Sequence, residues 1–429
     1  MAGLVFWLAL FGALAIGVPV ALSLVASGLA VALIYSTGLG PGAMVVSFAQ
    51  RMYGGSNSFI LLALPLFMFA GALMESGGIS DRLVRLGMVF LGWIRGGLSM
   101  VVVAATMFFS GISGSASSDT AAVGGVLIPA MKKRGYPVEY AAAVAAASGA
   151  LGPIIPPSIL LVVYGGMANV SIAKLFVGGL GPGILFGVLL ILACWINALR
   201  HNYPKEGRST VRQALAALYD ALIPLATPAI ILGGIFSGLF TATESAAVAV
   251  AYALIVSLYI YRSLTWNQVF DIAVESVLTS AQLMFVVASA GFASWVLARE
   301  QIPQQVAESV LSFSSDPIVL LIIINGLLLL FGCVLEGMAI TVILLPTLLP
   351  IVEAAGIDLV FFGVLMMVNL SIGAVTPPIG TCLFVAASIA KVPVERVIPY
   401  LWSFILVMVI GLATLIAVPG VVLWLPNMM

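Results

Sequence analysis

The sequence predicts an all-α, polytopic membrane protein built from two inverted repeats, and three observations support this. First, 62% of the 429 residues are hydrophobic and 7% are charged, with a mean hydropathy of +1.24. A soluble fold could not bury that much apolar surface. Second, a motif with a proline pair occurs twice, as SGALGPIIPPSIL and SIGAVTPPIGTCL, and Pro156 and Pro377 are 221 residues apart. The same register joins Gly12 to Gly233. Third, the basic residues cluster on one predicted side.

Composition limits both the architecture and the function. At about 20 apolar residues per crossing, the chain has room for about ten to twelve spans and no large soluble domain. The net charge is zero, so nothing indicates nucleic acid as a partner. The three cysteines are isolated in apolar runs, and the single histidine, His201, lies in a polar loop. No disulfide framework, His-based metal cluster or enzyme is therefore expected. The N-terminus lacks a basic leader, so we expect mature membrane sequence there rather than a cleaved signal.

Apolar runs predict the same order of elements in each half. The first repeat covers residues 1–210, with scaffold helices over 1–78, an amphipathic arm over 80–96, a hairpin over 99–131 and a broken helix over 138–168. The second covers residues 211–429, with scaffold helices over 221–298, an arm over 302–315, a hairpin over 317–352 and a broken helix over 359–390. Each half closes with a further span, near 175–199 and 398–425.

The two hairpins are predicted to be re-entrant. Small or polar residues interrupt each apolar segment, as FFSGISGSASSDTAAVGG in the first and FGCVLEGMAITVILLP in the second. Each segment is too short for two full crossings. Polar, non-helical backbone at that depth is tolerated only where protein or a water-filled cavity surrounds it. For the first tip alone, a close-packed helix interface of small residues is the alternative.

Glycine and proline interrupt the two broken helices. These residues remove backbone donors and leave carbonyl groups without helical partners. They are Gly149, Gly152, Pro153, Pro156 and Pro157 in the first half, and Gly373, Pro377 and Pro378, with Thr376, in the second. A simple proline kink is the alternative for either motif by itself. The duplication favours a pair of ion sites, because a sodium ion near each break would satisfy the carbonyl groups.

The distribution of basic residues predicts the orientation of the chain in the membrane. Arg95 and the run KKR at 132–134 flank the first hairpin, so both of its ends should face the cytoplasm. Counting spans outward places thirteen of the sixteen basic residues on that side. They are Arg82, Arg85, Arg95, Lys132, Lys133, Arg134, Arg200, Lys205, Arg208, Arg212, Arg262, Lys391 and Arg396. Asp316, Glu353 and Asp358 flank the second hairpin, which opens to the other side. The repeats are therefore inverted in this prediction, and both termini are periplasmic.

Three acidic residues, Asp119, Glu244 and Glu336, lie within apolar stretches. A charge at the bilayer centre costs roughly 2.5–3.5 kcal/mol on insertion scales, so such residues are functional candidates. Asp119 and Glu336 belong to the two hairpin tips. Glu244 falls at a turn between spans, where we favour a structural, hydrogen-bonded role. Proton coupling through one of these carboxylates is the alternative to sodium coupling.

Four motifs, in this order, resemble the large membrane subunit of TRAP transporters, the DctM family. They are SGSASSDTAAVGGVLIPAMKKRGYP, SGALGPIIPPSI, FTATESAAVAVAYALI and GAVTPPIGTCLFVAA. The likeness runs essentially from end to end. It implies one half of an elevator-type symporter of the ion-transporter superfamily, with a scaffold and a moving core of two hairpins and two broken helices.

The resemblance also implies partners, a driving ion and substrates. The expected partners in the bacterial inner membrane and periplasm are a small four-helix membrane subunit of the DctQ type and a substrate-binding protein of the DctP type. Import would be driven by sodium, and the family's substrates are organic acids such as C4-dicarboxylates, keto acids and sialic acid. Some members carry the small subunit fused at the N-terminus. Because this chain begins with the large subunit, we expect a separate small polypeptide.

Carried over to this sequence, the resemblance implies two sodium sites and one substrate site. The first sodium site would combine Ser115, Ser118 and Asp119 with Gly149, Gly152 and Pro156. The second would combine Gly332, Glu336 and Met338 with Gly373, Thr376 and Pro378. Substrate would lie between the two tips, on Ser115, Ser117, Ser118, Pro157, Thr376 and Pro377. The alternative functions are a stand-alone sodium/dicarboxylate symporter, a membrane-embedded enzyme and an ion channel.

Overall fold

A computed structural model describes residues 1–35, 41–205, 207, 210–314 and 316–429. Arg208, one of the residues predicted to be cytoplasmic, lies outside the described residues. Within these ranges the chain is helical and contains no strand. Seven helical segments of the described chain are long and apolar enough to cross a membrane, and shorter apolar helices accompany them. The prediction of an all-α, multi-pass membrane protein is confirmed.

Nineteen helices of ten residues or more make up the described chain. Those of the first half are α1 Ala2–Ala15, α2 Val20–Tyr35, α3 Pro41–Ser56, α4 Ala63–Ser76, α5 Ile79–Leu91, α6 Gly97–Ser113, α7 Ala116–Lys133, α8 Val138–Gly149, α9 Ile159–Ala168 and α10 Ile172–Arg200. Those of the second half are α11 Val211–Phe236, α12 Ala242–Ile255, α13 Trp266–Arg299, α14 Ile302–Phe313, α15 Pro317–Gly332, α16 Gly337–Ala354, α17 Leu359–Gly373, α18 Thr381–Ala390 and α19 Val394–Ala417.

The order of helices repeats between the halves in the register read from the sequence. Adding 221 to the bounds of α7, 116–133, gives 337–354, which are the bounds of α16. The one large difference concerns α13. This helix runs unbroken for 34 residues where the first half has α3, a short 3₁₀ turn at Phe59–Leu62 and α4. One half therefore has a continuous scaffold helix and the other an interrupted one.

Threonine capping boxes start three scaffold helices of the second half. In each box the threonine hydroxyl oxygen accepts a hydrogen bond from the backbone N–H three residues later, and the side chain at that later position accepts the threonine backbone N–H. The three threonines are Thr210, Thr241 and Thr265. These reciprocal bonds satisfy amide groups that a helix start leaves without partners. Glu244 belongs to the second box and accepts the Thr241 amide N–H at 2.8 Å. The structural role predicted for Glu244 is confirmed.

Scaffold helices pack mainly on one another, and core helices do the same. In the scaffold, α13 packs against α2, α3 and α4, and α12 packs against α4. In the core, each broken helix contacts the hairpin of the opposite half, because α18 packs on α7 and α9 packs on α16. The arm α5 lies against α6 and α11. Arg85 of the arm pairs with Asp220 at 3.6 Å, and the Arg82 guanidinium lies 3.4 Å from the Tyr261 ring centre.

The structure corrects several predicted boundaries. The apolar spans expected in the first scaffold region, near 4–18, 19–36 and 57–77, did not include helix α3, because its apolar pattern is interrupted by Gln50 and Arg51. It packs along α13, where a Cβ on Gly55 would lie 3.1 Å from the Gly291 Cα. The scaffold helix predicted to begin at 221 starts at 211. Helix α13, whose apolar span was expected near 276–298, starts at 266, because capping boxes extend both helices into polar sequence. The last span ends at 417 instead of 425, since Pro419 lacks the N–H that would continue the helix.

Candidate functional site

The first hairpin tip is built around a buried carboxylate. Helix α6 ends at Ser113, Gly114 takes a left-handed conformation with φ of 64°, and α7 begins after the extended Ser115. This turn places Asp119 beside the end of α6, where the hydroxyls of Ser110 and Ser113 donate one to each carboxylate oxygen. Asp119 is 0% exposed. The tip thus holds a fully buried cluster of acidic and hydroxyl oxygens.

The backbone of the first broken helix packs closely against this tip. A Cβ on Gly152 would lie 2.7 Å from the Ser115 carbonyl carbon and 2.8 Å from Asp119 Oδ2, so only glycine permits the approach. A Cβ on Gly149 would lie 2.9 Å from a carbonyl oxygen of α7. The Ile159 amide also donates to the Gly114 carbonyl at 3.4 Å. The structure therefore brings Ser115, Asp119, Gly149 and Gly152 together.

Ser118 and Pro156 are placed differently from the rest of the first predicted sodium set. The Ser118 hydroxyl donates to Glu75 Oε2 at 2.8 Å, which ties the hairpin tip to scaffold helix α4. Pro156 is buried, and its carbonyl oxygen faces Gly111 of α6, 3.7 Å from where a Cβ would stand. The bond between Pro156 and Pro157 is cis.

The second tip and break approach each other through backbone alone. A Cβ on Gly373 would lie 2.7 Å from the Gly332 Cα. The Ile379 amide donates to the Cys333 carbonyl at 3.0 Å, so a backbone hydrogen bond joins break and tip in this half as in the first. The Thr376 hydroxyl donates to the Ile372 carbonyl at 2.7 Å. The bond between Pro377 and Pro378 is cis.

Side chains at the second tip are more exposed than those at the first. Glu336 precedes the first residue of α16 in extended conformation and is exposed, as is Pro378. Met338 is buried in the first turn of α16. Gly332, Gly373 and Thr376 thus form a backbone-rich site, whereas Glu336 faces open space beside it.

A cavity of about 210 Å³ lies between the two tips. Ser115 and Ser117 line it from the first tip, and Glu336 and Met338 line it from the second. Scaffold helices α4 and α13 close it with Met68, Thr279 and Leu283. Of the residues predicted to bind substrate, Ser115 and Ser117 line this cavity. Pro157, Thr376 and Pro377 line neither this cavity nor the neighbouring one, and their contact with substrate stays a prediction.

A larger vestibule of about 480 Å³ adjoins the tip cavity and shares Ser115 and Thr279 with it. Its acidic lining residues are Glu75 and Glu275, and Ser118 also lines it. Sequence reasoning missed Glu75. The available signal was a carboxylate at the end of the apolar run in FAGALMES, four residues after Gly71. Carboxylates in a vestibule concentrate cations near its narrow end.

A third space of about 390 Å³ lies toward the far end of α13, lined by Val287, Gly291 and Ser294 of that helix and by Pro346 of α16. Helix α13 lines all three spaces in sequence, with Ile272 in the vestibule. The tip cavity is thus separated from the third space within one helical turn, between Leu283 and Val287. The tip cavity shares lining residues with the vestibule and none with the third space.

The chemistry of the first tip suits a hard monovalent cation. Carboxylate, hydroxyl and backbone carbonyl oxygens are the ligands that such ions prefer, and unwound helices supply them in transporters. Among the described residues, no group of three or more His, Cys, Asp or Glu side chains could hold a metal ion. The first half therefore offers a site of mixed side-chain and backbone oxygens. The second offers backbone carbonyl groups and the Thr376 hydroxyl.

Comparison with known proteins identifies relatives along the whole length of the chain. A family model described as "Tripartite ATP-independent periplasmic transporter, DctM component" matches residues 7–421. The 2,3-diketo-L-gulonate TRAP transporter large permease protein YiaN of Escherichia coli is 38% identical over 423 residues, covering 99% of this chain and 98% of that protein.

Two relatives from Vibrio cholerae are similarly close. The C4-dicarboxylate TRAP transporter large permease protein DctM is 37% identical, covering 100% of this chain and 98% of its own length. The sialic acid TRAP transporter large permease protein SiaM is 38% identical, covering 100% of this chain and 99% of its own length. Among solved structures, the Alcanivorax borkumensis YdaH transporter matches with a TM-score of 0.65 at 14% identity, covering 89% of each chain. That likeness concerns the fold alone.

Proposed function

Since this chain belongs to the DctM component family of the tripartite ATP-independent periplasmic transporters, we propose that it imports an organic acid by sodium symport. The observation that carries the proposal is the cavity between the two hairpin tips. One tip beside it holds a buried, oxygen-rich cluster, and the other holds a backbone-rich break. The proposal is that each tip binds one cation and that the space between them binds an anion.

The first sodium ion binds between the tip and the break of the first half. Asp119 supplies the charge, Ser115 supplies oxygen atoms, and the unwound backbone from Gly149 to Pro156 supplies carbonyl groups. The second ion binds where Gly332 meets Gly373, with Thr376 and Pro378 on the break and Glu336 and Met338 on the tip. Ser115 of the first proposed site and Glu336 and Met338 of the second line the tip cavity, which supports this assignment.

Sodium and substrate assist each other through charge. A bound sodium ion offsets the negative charge of Asp119 at the cavity wall, where a substrate carboxylate can accept hydrogen bonds from Ser115 and Ser117. Without the ion, two like charges 4 Å apart would repel by about 4 kcal/mol at an effective dielectric constant of 20. Binding of one therefore strengthens binding of the other, and the coupling is reciprocal.

Transport follows an elevator mechanism in which hairpins and broken helices move against the scaffold. Helices α4 and α13 form the fixed wall, and the vestibule and the third space are the two exits along it. The vestibule lies near the start of α13, just after Arg262, which the distribution of basic residues assigns to the cytoplasm. This orientation places both termini in the periplasm. The Ser118–Glu75 hydrogen bond joins the two bodies and must break when the core moves.

The complete transporter includes a small four-helix membrane subunit and a periplasmic binding protein that delivers the substrate. The relatives are named for a diketo-gulonate, a C4-dicarboxylate and sialic acid. All three are carboxylates. We therefore propose that the substrate of this chain carries at least one carboxylate group, which a cavity of about 210 Å³ with two serine hydroxyls can accommodate.

Uptake in proteoliposomes tests sodium coupling. The chain is reconstituted with its small subunit and binding protein, and uptake of radiolabelled succinate, 2,3-diketogulonate or sialic acid is measured in sodium and in potassium at fixed pH. We expect uptake of one acid in sodium and none in potassium. Equal uptake in both salts, driven by a proton gradient, would contradict the proposal. Full uptake without the binding protein would instead support the stand-alone symporter.

A further inference from the structure

Two arginines share one tryptophan ring at the end of the scaffold that the predicted orientation assigns to the periplasm. The guanidinium carbon of Arg51 on α3 lies 5.6 Å from the centre of the Trp295 ring, and that of Arg299 on α13 lies 5.7 Å from it. We propose that these three side chains form an outer binding site for the substrate carboxylate, at the mouth of the third space. The proposal rests on the function proposed above, in which the substrate is an organic acid that enters from the periplasm.

Close packing of α3 on α13 places Arg51 beside the third space. Gly55 of α3 and Gly291 of α13 both line that space. A Cβ on Gly291 would lie 2.9 Å from the Gly55 Cα and 2.9 Å from the Arg51 carbonyl oxygen. Residues four apart share one face of a helix, so Arg51 lies on the face of Gly55, one turn away. By the same spacing, Trp295 and Arg299 continue the face of Gly291. The two arginines therefore extend the lining faces of both helices beyond the third space.

The 221-residue register gives independent support for the position of Arg51. Its counterpart in the second half is Ile272, and the counterpart of Gly54 is Glu275. Ile272 and Glu275 line the vestibule, and Gly54 lines the third space. The same repeated stretch of chain thus borders both spaces, with a carboxylate at the vestibule and a guanidinium beside the third space. An anion is therefore attracted to the mouth of the third space and repelled from the vestibule.

Neither guanidinium is neutralised by the protein itself. Among the residues that the structure describes, neither Arg51 nor Arg299 forms an ion pair, and both are exposed. Three acidic residues around the second hairpin are assigned to the same side of the membrane, Asp316, Glu353 and Asp358. On that acidic side, the two arginines form a local positive region that draws a carboxylate to the third space.

The chemistry of these side chains suits a carboxylate. A guanidinium presents a planar fork of N–H donors that matches the two oxygen atoms of a carboxylate. Both distances to the ring centre are shorter than the Debye length of about 8 Å at physiological ionic strength, so both charges act on an anion held beside the ring. The third space itself is lined by further polar side chains, Ser58, Ser294 and Gln304. These hydroxyl and amide groups suit a hydrated acid on its way to the tip cavity and favour substrate over a lipid headgroup as the ligand.

Collisional quenching of Trp295 by iodide tests the site without transport. The purified full-length chain in detergent is titrated with potassium iodide at constant ionic strength and, separately, with neutral acrylamide. The Trp295 signal is obtained by subtracting the emission of Trp295→Phe. Relative to acrylamide, we expect iodide to quench Trp295 more strongly than Trp402, which is 57% exposed on α19. Arg51→Gln and Arg299→Gln should each lower the iodide quenching constant about twofold to fivefold and leave the acrylamide constant unchanged.

Protection by substrate identifies the ligand. The three acids of the uptake assay are added separately at a fixed iodide concentration. We expect at least one acid, the one that is taken up, to protect Trp295, and Arg51→Gln to raise its half-protecting concentration about fivefold. Arg51→Lys keeps the charge without the fork, so it should restore iodide quenching and only part of the protection. The matched control is Lys174→Gln, at the third basic residue assigned to the periplasm, which should behave as the wild type.

Several results would rule out the site. Wild-type iodide constants for Arg51→Gln and Arg299→Gln, with unfolding temperatures that show both variants to be folded, would exclude a positive field at Trp295. Protection by none of the acids, or equal protection in the arginine variants, would exclude carboxylate binding there. Protection by phosphatidylglycerol in mixed micelles instead would assign the arginines to a lipid headgroup. The quenching assay contains no sodium gradient and no partner, so its failure is distinct from a failure of sodium-coupled uptake.

Discussion

The two halves repeat one backbone plan but differ at their tips. In the first half, Asp119 and Pro157 are buried and the serine hydroxyls face inward. In the second, Glu336 and Pro378 are exposed, and the closest approach is between the backbones of two glycines. The backbone break is thus common to both halves, while the chemistry around it differs. One half combines side-chain and backbone oxygens, and the other depends on its backbone.

Packing around the tips differs in the same direction. The first hairpin lies under α5 and α11 and is tied to α4 by the Ser118–Glu75 hydrogen bond. The second hairpin meets α1 at the stacked Phe11 and Phe331 rings, and an apolar groove lined by Trp7 and Leu327 lies beside them. Because a buried charge needs a closed and hydrogen-bonded environment, the half with the carboxylate is the half with complete packing. The difference predicts that substitutions at the first tip will weaken sodium binding more than substitutions at the second tip.

The largest effect is expected from Asp119→Ala. This change removes the buried charge and leaves the Ser110 and Ser113 hydroxyls without their acceptor. Hydrogen bonds to charged groups are worth about 1.5–3 kcal/mol, so the sodium concentration for half-maximal uptake should rise about tenfold or more. Proteoliposome uptake as a function of sodium measures the change.

An acidic control is Glu244→Gln, which alters an exposed capping box whose carboxylate lines none of the three spaces. Sodium dependence should stay as in the wild type for this variant. If Asp119→Ala inserts normally and keeps the wild-type sodium dependence, Asp119 does not belong to the site, and the contrast between the halves loses its main element.

The second effect compares the glycines at the two breaks. Gly152→Ala and Gly373→Ala each place a Cβ 2.7 Å from backbone of the facing hairpin. Overpacking of this kind costs about 1–3 kcal/mol. Both variants should therefore raise the sodium concentration for half-maximal uptake and lower the unfolding temperature. The control glycines, Gly125 and Gly326, lie in the same hairpins with nothing within 4 Å of an added Cβ. Alanine there should be tolerated.

The relative size of these two changes sharpens the comparison. One outcome is that Gly152→Ala alone changes the sodium concentration for half-maximal uptake, while Gly373→Ala lowers only the unfolding temperature. That result would place the coupling ion in the first half. Equal tolerance of alanine at the breaks and at the control positions would contradict the close approach of break and tip in both halves.

The smallest effect is expected from Glu336→Gln. This carboxylate is exposed to the tip cavity, and exposed charge pairs contribute about 0–1 kcal/mol. The half-saturating sodium concentration should therefore change by no more than about fivefold. Uptake measured in the same assay tests this. A shift as large as that of Asp119→Ala would show that the second tip also depends on a side-chain charge.

Much of the fold was predictable from local sequence signals. The proline pairs, the Gly- and Ser-rich tip and the 221-residue register located both hairpins and both broken helices to within a few residues. The failures were helix α3 and the starts of α11 and α13. In each of these, polar residues such as Gln50 and Arg51 interrupt the apolar pattern, and the helix depends on packing or on a capping box.

The candidate site was predictable in part. Asp119, Ser115 and Gly152 were identified from residue type and position, and the structure brings them together. Glu75 was missed, because its bond to Ser118 spans 43 residues and joins scaffold to core. No local pattern predicts such a contact.

The sequence by itself determined the membrane environment, the duplication and the positions where helices must break, because hydrophobicity, register and missing backbone donors are properties of short segments. Only the tertiary structure decided which proline pairs and carboxylates are buried. It also decided that α11 packs closely on the first hairpin, while its counterpart α1 leaves a groove beside the second. Those outcomes depend on the distances between helices far apart in the chain. The same repeated motif can be closed or open according to what packs against it.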